Sequence, residues 1–179
     1  MRVGGVIAAV AAATLACAGC GGSSHLTHKN GSSKLGLSAF LVQGDEAAPM
    51  SYTGDTPSPM TGAGYGEGLQ ASPVSGPSGV SDVAPYRSAA AAARDVPSEI
   101  KASGFAGTPQ FEVPGIPGAT GVSDNKTGDV WFIEGRCEIT IGDQFSSAQH
   151  QVSMVRLPLI HAADAIWART HGKRSVCST

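Results

Sequence analysis

The chain has 179 residues and a formal net charge of −2, and its 12 Lys and Arg residues form no dense basic stretch. This charge balance argues against nucleic acid as a partner, because nucleic-acid-binding proteins carry clustered basic surfaces. The length suffices for one domain with one core. The chain holds 24 Gly and 11 Pro but only 6% aromatic residues, which predicts that part of it stays outside that core.

The N-terminus has the order of residues found in an export signal. Arg2 precedes an apolar, Ala-rich run from Val3 to Ala18, and Cys17 and Cys20 lie among small residues at its end. The run is shorter than the roughly 20 residues that a membrane span requires, and no other stretch of the sequence approaches that length. The pattern predicts a secretory signal over residues 1–19. Cleavage after an Ala-x-Ala sequence, which would release the protein, is the alternative to lipid attachment.

The segment Leu15-Ala16-Cys17-Ala18-Gly19-Cys20 resembles the lipobox of bacterial lipoproteins, in which small residues precede a cysteine that receives a lipid. Cys20 is favoured as the acceptor, because the Gly- and Ser-rich start that follows it suits an acylated terminus leading into a linker. Cys17 is the alternative. Three residues before Cys20, where the family usually carries Leu, Val or Ile, stands Cys17. Ahead of Cys17 that place is held by Thr14.

The resemblance implies a diacylglyceryl thioether on the mature N-terminal cysteine, often with an amide-linked third chain. Each buried methylene contributes about 0.8 kcal/mol, so two or more chains anchor a protein stably. The implied location is the extracytoplasmic face of the cell membrane, which the protein contacts through its lipid. Residues 20–34, rich in Gly, Ser and Thr, are expected to form a flexible tether.

Two segments precede the predicted compact part. The apolar run 35–42, within the segment 35–49, is long enough for a short helix or for a strand, and the helix is favoured. Residues 50–80 hold four Pro among many Gly, Ser and Thr. Such a composition buries too little apolar surface to offset the entropy of ordering. We therefore expect a disordered loop or linker there, with one short strand near 71–74.

Residues 81–179 are predicted to form a compact domain, in which Ser88 is a suitable N-cap for a helix that begins at Ala89. Pro97 is expected to end or kink that helix, with a fresh helical start that closes at Gly104.

Strand character is expected at 111–113 and again at 119–122. Farther along, an apolar face with three-and-four spacing predicts a final helix from Leu157 to His171, with Pro158 in its first turn.

The segment from Asp129 to Asp143 is best explained as a β-hairpin. Gly at the first position of a two-residue turn, Gly135-Arg136, suits a primed turn. This turn sorts the apolar residues onto one face of the hairpin, whereas the other face mixes apolar and polar residues. The predicted pairs are Val130 with Ile141, Phe132 with Ile139 and Glu134 with Cys137.

The order of elements predicts an α+β fold, a small antiparallel sheet with a C-terminal hairpin, covered by two or three helices. This arrangement and the lipobox are similar to those of small actinobacterial cell-envelope lipoproteins of unassigned function. The looser part of the likeness lies in the second half of the chain. It rests on Tyr86-Arg87-Ser88-Ala89, Pro117-Gly118-Ala119 and Gly135-Arg136-Cys137.

With Cys20 lipidated and Cys17 removed with the signal, Cys137 and Cys177 remain. A cysteine pair outside the cytosol is more often a disulfide than a metal site, and two free thiols are the alternative. Closing a loop of about 40 residues stabilises a fold by about 4 kcal/mol in the chain-entropy model.

No metal site or cofactor is predicted. The Gly-rich run 62–68 lacks the Lys-Ser/Thr pair of a phosphate loop and the spacing of a dinucleotide fingerprint. His25 and His28 lie in the tether without further ligands nearby.

No catalytic residue is predicted either. His161 and Asp164 stand one helical turn apart with Ser153 upstream, but no nucleophile elbow accompanies them. Glu134 and Glu138 flank the hairpin turn, and paired carboxylates can perform acid–base chemistry only where they converge.

The sequence therefore predicts a non-enzymatic, lipid-anchored lipoprotein of the cell envelope that binds a protein partner or a small apolar ligand. One alternative is an envelope hydrolase acting on wall or lipid, which requires its polar groups to meet in one pocket. A structural or sensory accessory domain is the other.

Overall fold

The structure is a computed structural model that describes residues 34–44, 46, 57–62, 64–71, 78–144 and 152–178. Its two α-helices are α1, Ala89–Ala102, and α2, Val152–Thr170, and a 3-10 turn spans Leu37–Phe40. Its strands are β1 Ser58–Met60, β2 Gly68–Ala71, β3 Ser78–Pro85, β4 Gln110–Glu112, β5 Thr120–Ser123, β6 Thr127–Glu134 and β7 Cys137–Gln144. They form one seven-stranded sheet in the order β1-β2-β3-β7-β6-β5-β4, and every neighbouring pair is antiparallel.

The predicted hairpin is confirmed in its register. β6 and β7 pair Val130 with Ile141, Phe132 with Ile139 and Glu134 with Cys137. Gly135 has a φ of 60°, which favours glycine. A Cβ at that position would also collide with the backbone carbonyl of Cys177. The turn therefore needs glycine both for its conformation and for the close approach of the C-terminal segment.

The face of the sheet under α2 carries the main apolar core. Successive residues of a strand face opposite sides, so alternate residues of β3, β6 and β7 point toward α2. Gly128 permits the close approach of this helix, since a Cβ there would lie 2.9 Å from Leu159 Cδ1. The fully buried members include Val83, Val130, Phe132, Ile139 and Ile141 of the sheet and Val155, Leu159 and Ile166 of α2.

Both ends of the described chain are fixed to this core. Cys137 and Cys177 form a disulfide with their Cα atoms 5.2 Å apart, in agreement with the expectation for an exported cysteine pair. Arg169 near the end of α2 donates hydrogen bonds to the carbonyls of Ala39 and Leu41, at 3.0 and 2.8 Å. The 3-10 segment is thereby joined to α2.

The α+β class is confirmed, but the sheet is larger than the small one predicted, and two α-helices are present in the described residues. β1 and β2 lie within 50–80, which the composition assigned to a disordered loop or linker. Short edge strands need few apolar residues of their own when the neighbouring strand is already buried. Within the run 35–42, where a short helix was favoured over a strand, Leu37–Phe40 form a 3-10 helix, and the compact part begins before residue 81.

Ser88 caps α1 as predicted, because its Oγ accepts a hydrogen bond from the Ala91 N–H at 3.2 Å. The predicted break at Pro97 was wrong, since α1 continues through it. Pro97 has no N–H to donate to the carbonyl of Ala93, so α1 lacks this one hydrogen bond. Ala93 is exposed to water. Pro158 is likewise inside α2, which begins before Leu157. None of the helices in the described ranges is both long and apolar enough to cross a membrane.

Candidate functional site

Those described residues that were named from the sequence for chemistry are divided between the two sides of the sheet. Cys17, Cys20, His25 and His28 lie outside the described residues. Ser153, His161 and Asp164 are exposed on α2.

Glu134 and Glu138 lie on opposite faces of the sheet. Glu134 is on the α2 side, where its Oε2 lies 3.0 Å from Nδ1 of His171. The His171 ring in turn stacks on Trp167, with 3.9 Å between the ring centroids. Glu134 therefore takes part in a contact that holds the end of α2, whereas Glu138 faces α1.

The face of the sheet under α1 carries three carboxyl groups, which we call the acidic face: Asp82 on β3, Asp129 on β6 and Glu138 on β7. In the register, Asp82 stands opposite Thr140 and Glu138 stands opposite Ala84, so Asp82 and Glu138 are diagonal neighbours. Diagonal neighbours on one face are within reach of long side chains. The acidic face is thus a property of three adjacent strands rather than of one sequence motif.

Burial sets the protonation of the acidic face. Burial, together with the nearby Glu99 and Asp95 of α1, raises the pKa of Glu138 to about 8, while a hydrogen bond with Tyr86 opposes the rise. Burial, followed by the charge of Asp82, raises the pKa of Asp129 to about 7.

The pKa of Asp82 is also raised, but by less than those of Glu138 and Asp129. Burial raises its pKa to about 6, against a hydrogen bond from Gln70 that lowers it, and Glu99 adds to the rise. Carboxyl groups shifted this far by desolvation and like charges are typical of functional sites, although structural networks also produce them.

Gly142 makes room for one member of the acidic face. A Cβ on Gly142 would lie 2.5 Å from Oδ1 of Asp129. The Asp129 carboxyl therefore occupies the space above the β7 backbone that a side chain would fill. It also lines a cavity of about 370 Å³ that extends to Ser103 and Phe105 after α1.

Two tyrosines stand beside Glu138. The rings of Tyr65 and Tyr86 are tilted by 56° with centroids 5.5 Å apart. The Tyr86 hydroxyl donates a hydrogen bond to Asp95 of α1. The hairpin turn holds the Tyr86 backbone, since Arg136 donates to its carbonyl at 2.8 Å and accepts from its N–H at 2.9 Å.

Between α1 and the sheet lies a cavity of about 70 Å³, which we call the inner cavity. Oε2 of Glu138, a residue only 3% exposed, has no hydrogen-bond partner, and neither has Oδ1 of Asp82. On the other side of α1 a mostly apolar cavity of about 280 Å³ includes Val96, Ile100 and Ile133. The residues that line the inner cavity are Met60, Tyr65, Asp82, Ala84, Tyr86, Glu99, Glu138 and Thr140.

Part of this site is visible in the sequence. The predicted hairpin register puts Glu138 and Thr140 on the mixed face with Trp131 and Ile133. The burial of that face by α1 is not visible in one strand. Asp82 and Asp129 were missed, since neither belongs to a motif.

Comparison of the chain with protein-family models, with curated proteins and with solved structures gave no match. Among the described residues, no three His, Cys, Asp or Glu side chains are arranged to hold a metal ion. Buried carboxyl groups such as those of the acidic face can gain and lose protons and can bind a hydrogen-bond donor or a cation.

Proposed function

We propose that the protein is a non-enzymatic, lipid-anchored binding protein of the bacterial cell envelope. Its lipid is carried by Cys20, with Cys17 as the alternative, and holds it at the extracytoplasmic face of the cell membrane. The lipobox resemblance supports the anchor, and the disulfide between Cys137 and Cys177 fits an oxidising compartment. Its binding site is the side of the sheet that α1 covers.

The observation that carries the binding function is the Oε2 atom of Glu138, buried beside a cavity without a partner. Leaving a buried polar atom unsatisfied costs about 1–3 kcal/mol, and more when the group is charged. A ligand that supplies the missing donor removes this cost. The α2 face, by contrast, is filled mainly by apolar side chains.

The ligand expected from the sequence is a protein partner or a small apolar molecule. The α1 side has room for either kind of ligand, because two cavities border α1. One is the inner cavity, and the other is the apolar cavity at Val96 and Ile100. The hydrolase alternative is less favoured, since His161 and Asp164 are exposed on α2, on the other side of the sheet from Glu138.

The anchor is tested by labelling cells with an alkyne fatty acid. The unsubstituted protein is expected to carry the label, Cys20→Ala to lose it, and Cys17→Ala to retain it. Loss of the label in Cys17→Ala alone would move the acceptor to Cys17. A label retained in both variants, or absent from the unsubstituted protein, would contradict the lipoprotein assignment.

The binding side is tested with a photo-crosslinking amino acid in place of Glu99, which is exposed on α1 and lines the inner cavity. The matched control places the same amino acid at Asp164, an exposed acid on α2. In intact cells we expect adducts from position 99 that are absent from position 164. Adducts from both positions alike, or from position 164 alone, would contradict the assignment of the site to the α1 side.

A further inference from the structure

The carboxyl groups of the inner cavity run from the surface to a buried end. Glu99 is exposed, whereas Glu138 is only 3% exposed. Asp82 lies between β2 and β7 on the same side of the sheet. The rings of Tyr65 and Tyr86 form an aromatic wall beside these groups. The cavity thus combines carboxyl groups with aromatic rings.

The inner cavity holds no positive group of its own. None of the described residues that line it is Lys or Arg. Arg87 and Arg94 line a separate hollow that shares only Tyr86 with it. The buried Oε2 of Glu138 is consequently an acceptor without a donor, next to a space that a donor can enter.

The size and lining of the cavity select the class of donor. A volume of about 70 Å³ admits a few water molecules or the head of an alkylammonium ion. Carboxylates form charge-assisted hydrogen bonds with ammonium groups, and tyrosine rings attract cations. Anions are repelled by the same groups. A metal ion is less suited, because the described side chains provide no three-ligand arrangement.

We propose that the inner cavity binds the primary ammonium group of a ligand, an inference that rests on the proposed binding function. Glu138 accepts from the ammonium at the buried end, and Glu99 attracts it at the entrance. The ammonium belongs either to a free alkylamine or to a lysine side chain of a partner protein. Both sources present the same chemistry to the cavity.

Binding of an ammonium ion changes the protonation of the site. Without a ligand, Glu138 binds a proton at neutral pH, because burial, Glu99 and Asp95 raise its pKa to about 8. The charges that face it come from α1 and from Asp82 on the sheet, and its neutral neighbours are the two tyrosines. The ammonium favours the ionised carboxylate, so binding releases a proton. Affinity therefore increases as the pH rises from 6 to 8.

The test is calorimetric titration of the purified full-length protein in detergent with n-butylamine, and with n-butanol as the uncharged control. We expect binding of the amine but not of the alcohol, with a Kd about tenfold lower at pH 8 than at pH 6. Glu138→Gln is expected to raise the Kd at pH 8 by about tenfold or more. Glu134→Gln, on the opposite face of the same hairpin, is expected to leave it unchanged.

Glu99→Gln is a second variant, at an exposed position, so it tests the proposal if Glu138→Gln fails to fold. We expect the Kd of this variant for butylamine to be about threefold higher.

Tighter binding of Nα-acetyl-lysine amide than of butylamine would identify a lysine side chain as the source of the ammonium group. Tighter binding of butylamine would identify a free amine. Equal binding of amine and alcohol, or equal effects of Glu134→Gln and Glu138→Gln, would overturn the proposal. If amines fail while position 99 still crosslinks selectively, the binding function stands without its ammonium ligand.

Discussion

Replacing both members of the disulfide, Cys137→Ala with Cys177→Ala, is expected to lower the free energy of unfolding by about 4 kcal/mol. The two cysteines are 40 residues apart, and the bond restricts the unfolded chain over that whole loop. Both cysteines are fully buried, so their replacement also removes packed atoms from the core. The measurement is urea unfolding of the variant and of the unsubstituted protein at the same pH.

The control for the disulfide separates the covalent bond from the local contacts of the C-terminal segment. Ser175→Ala removes the Oγ that accepts from the N–H groups of Cys177 and Ser178, each at 3.1 Å, but leaves the bond in place. A loss of about 1 kcal/mol is expected for this variant. Equal losses in the two variants would contradict the assignment of the larger effect to the disulfide. Thiol labelling of Cys137 or Cys177 in unreduced protein would also contradict that assignment.

The hairpin was predictable because the residues that determine it are neighbours in the sequence. Alternation along β6 and β7 fixes which residues share a face, and a two-residue turn that begins with Gly135 fixes the register. Only one pairing puts Phe132 opposite Ile139 while leaving a short turn. The observed register agrees at all three predicted pairs.

The short strands β1 and β2 and the helix boundaries were not predictable, because they depend on residues that are distant in the sequence. β2 has two apolar residues, Leu69 and Ala71, and it is held in the sheet by pairing with β1 on one side and β3 on the other. Pro97 favours a helix end by its own chemistry. In the folded protein the sheet-facing residues on both sides of it, Ala92 and Ile100, pack on the sheet and keep the helix continuous.

The acidic face shows a third limit. A charged residue in a strand is usually interpreted as facing solvent, which is correct for one strand considered alone. Burial of Asp82, Asp129 and Glu138 arises only when three strands are adjacent and α1 lies over them. The sequence thus gave the face on which Glu138 lies, but the cover over that face is a tertiary property.

Contacts on the two sides of the sheet are joined at the hairpin turn. Arg136 donates its backbone N–H to the carbonyl of Cys177 at 2.8 Å and its guanidinium to the carbonyl of Tyr86 at 2.8 Å. The first contact lies beside the disulfide, and the second positions a wall of the inner cavity. The α2 side and the proposed binding side are therefore connected through the hairpin turn.

Stability is expected to fall as the pH rises from about 5 to about 8.5. The folded pKa values of Asp82, Asp129 and Glu138 are about 6, 7 and 8, all above the ordinary values of these groups in the unfolded chain. The folded protein therefore binds more protons than the unfolded chain across this window, and loses that stabilisation as each group ionises. The decrease in the free energy of unfolding is on the order of a few kcal/mol.

The same reasoning predicts an optimum at mildly acidic pH. Hydrogen bonds from the backbone of Thr127 and Lys126 lower the pKa of Asp124, so its contribution is lost on the acid side, below its ordinary pKa.

Urea unfolding at pH 5, 6, 7 and 8 measures the slope on the alkaline side of that optimum. Glu138→Gln should reduce the slope across the whole range, and should remove the largest share of it between pH 7 and 8, where Asp82 and Asp129 are already ionised in the folded protein. Asp129→Asn should reduce the slope mainly below pH 7. A free energy of unfolding that is constant or rising between pH 5.5 and 8 would contradict the burial of protonated carboxyl groups under α1. Because butylamine binds the ionised site, its addition should stabilise the protein more at pH 8 than at pH 6.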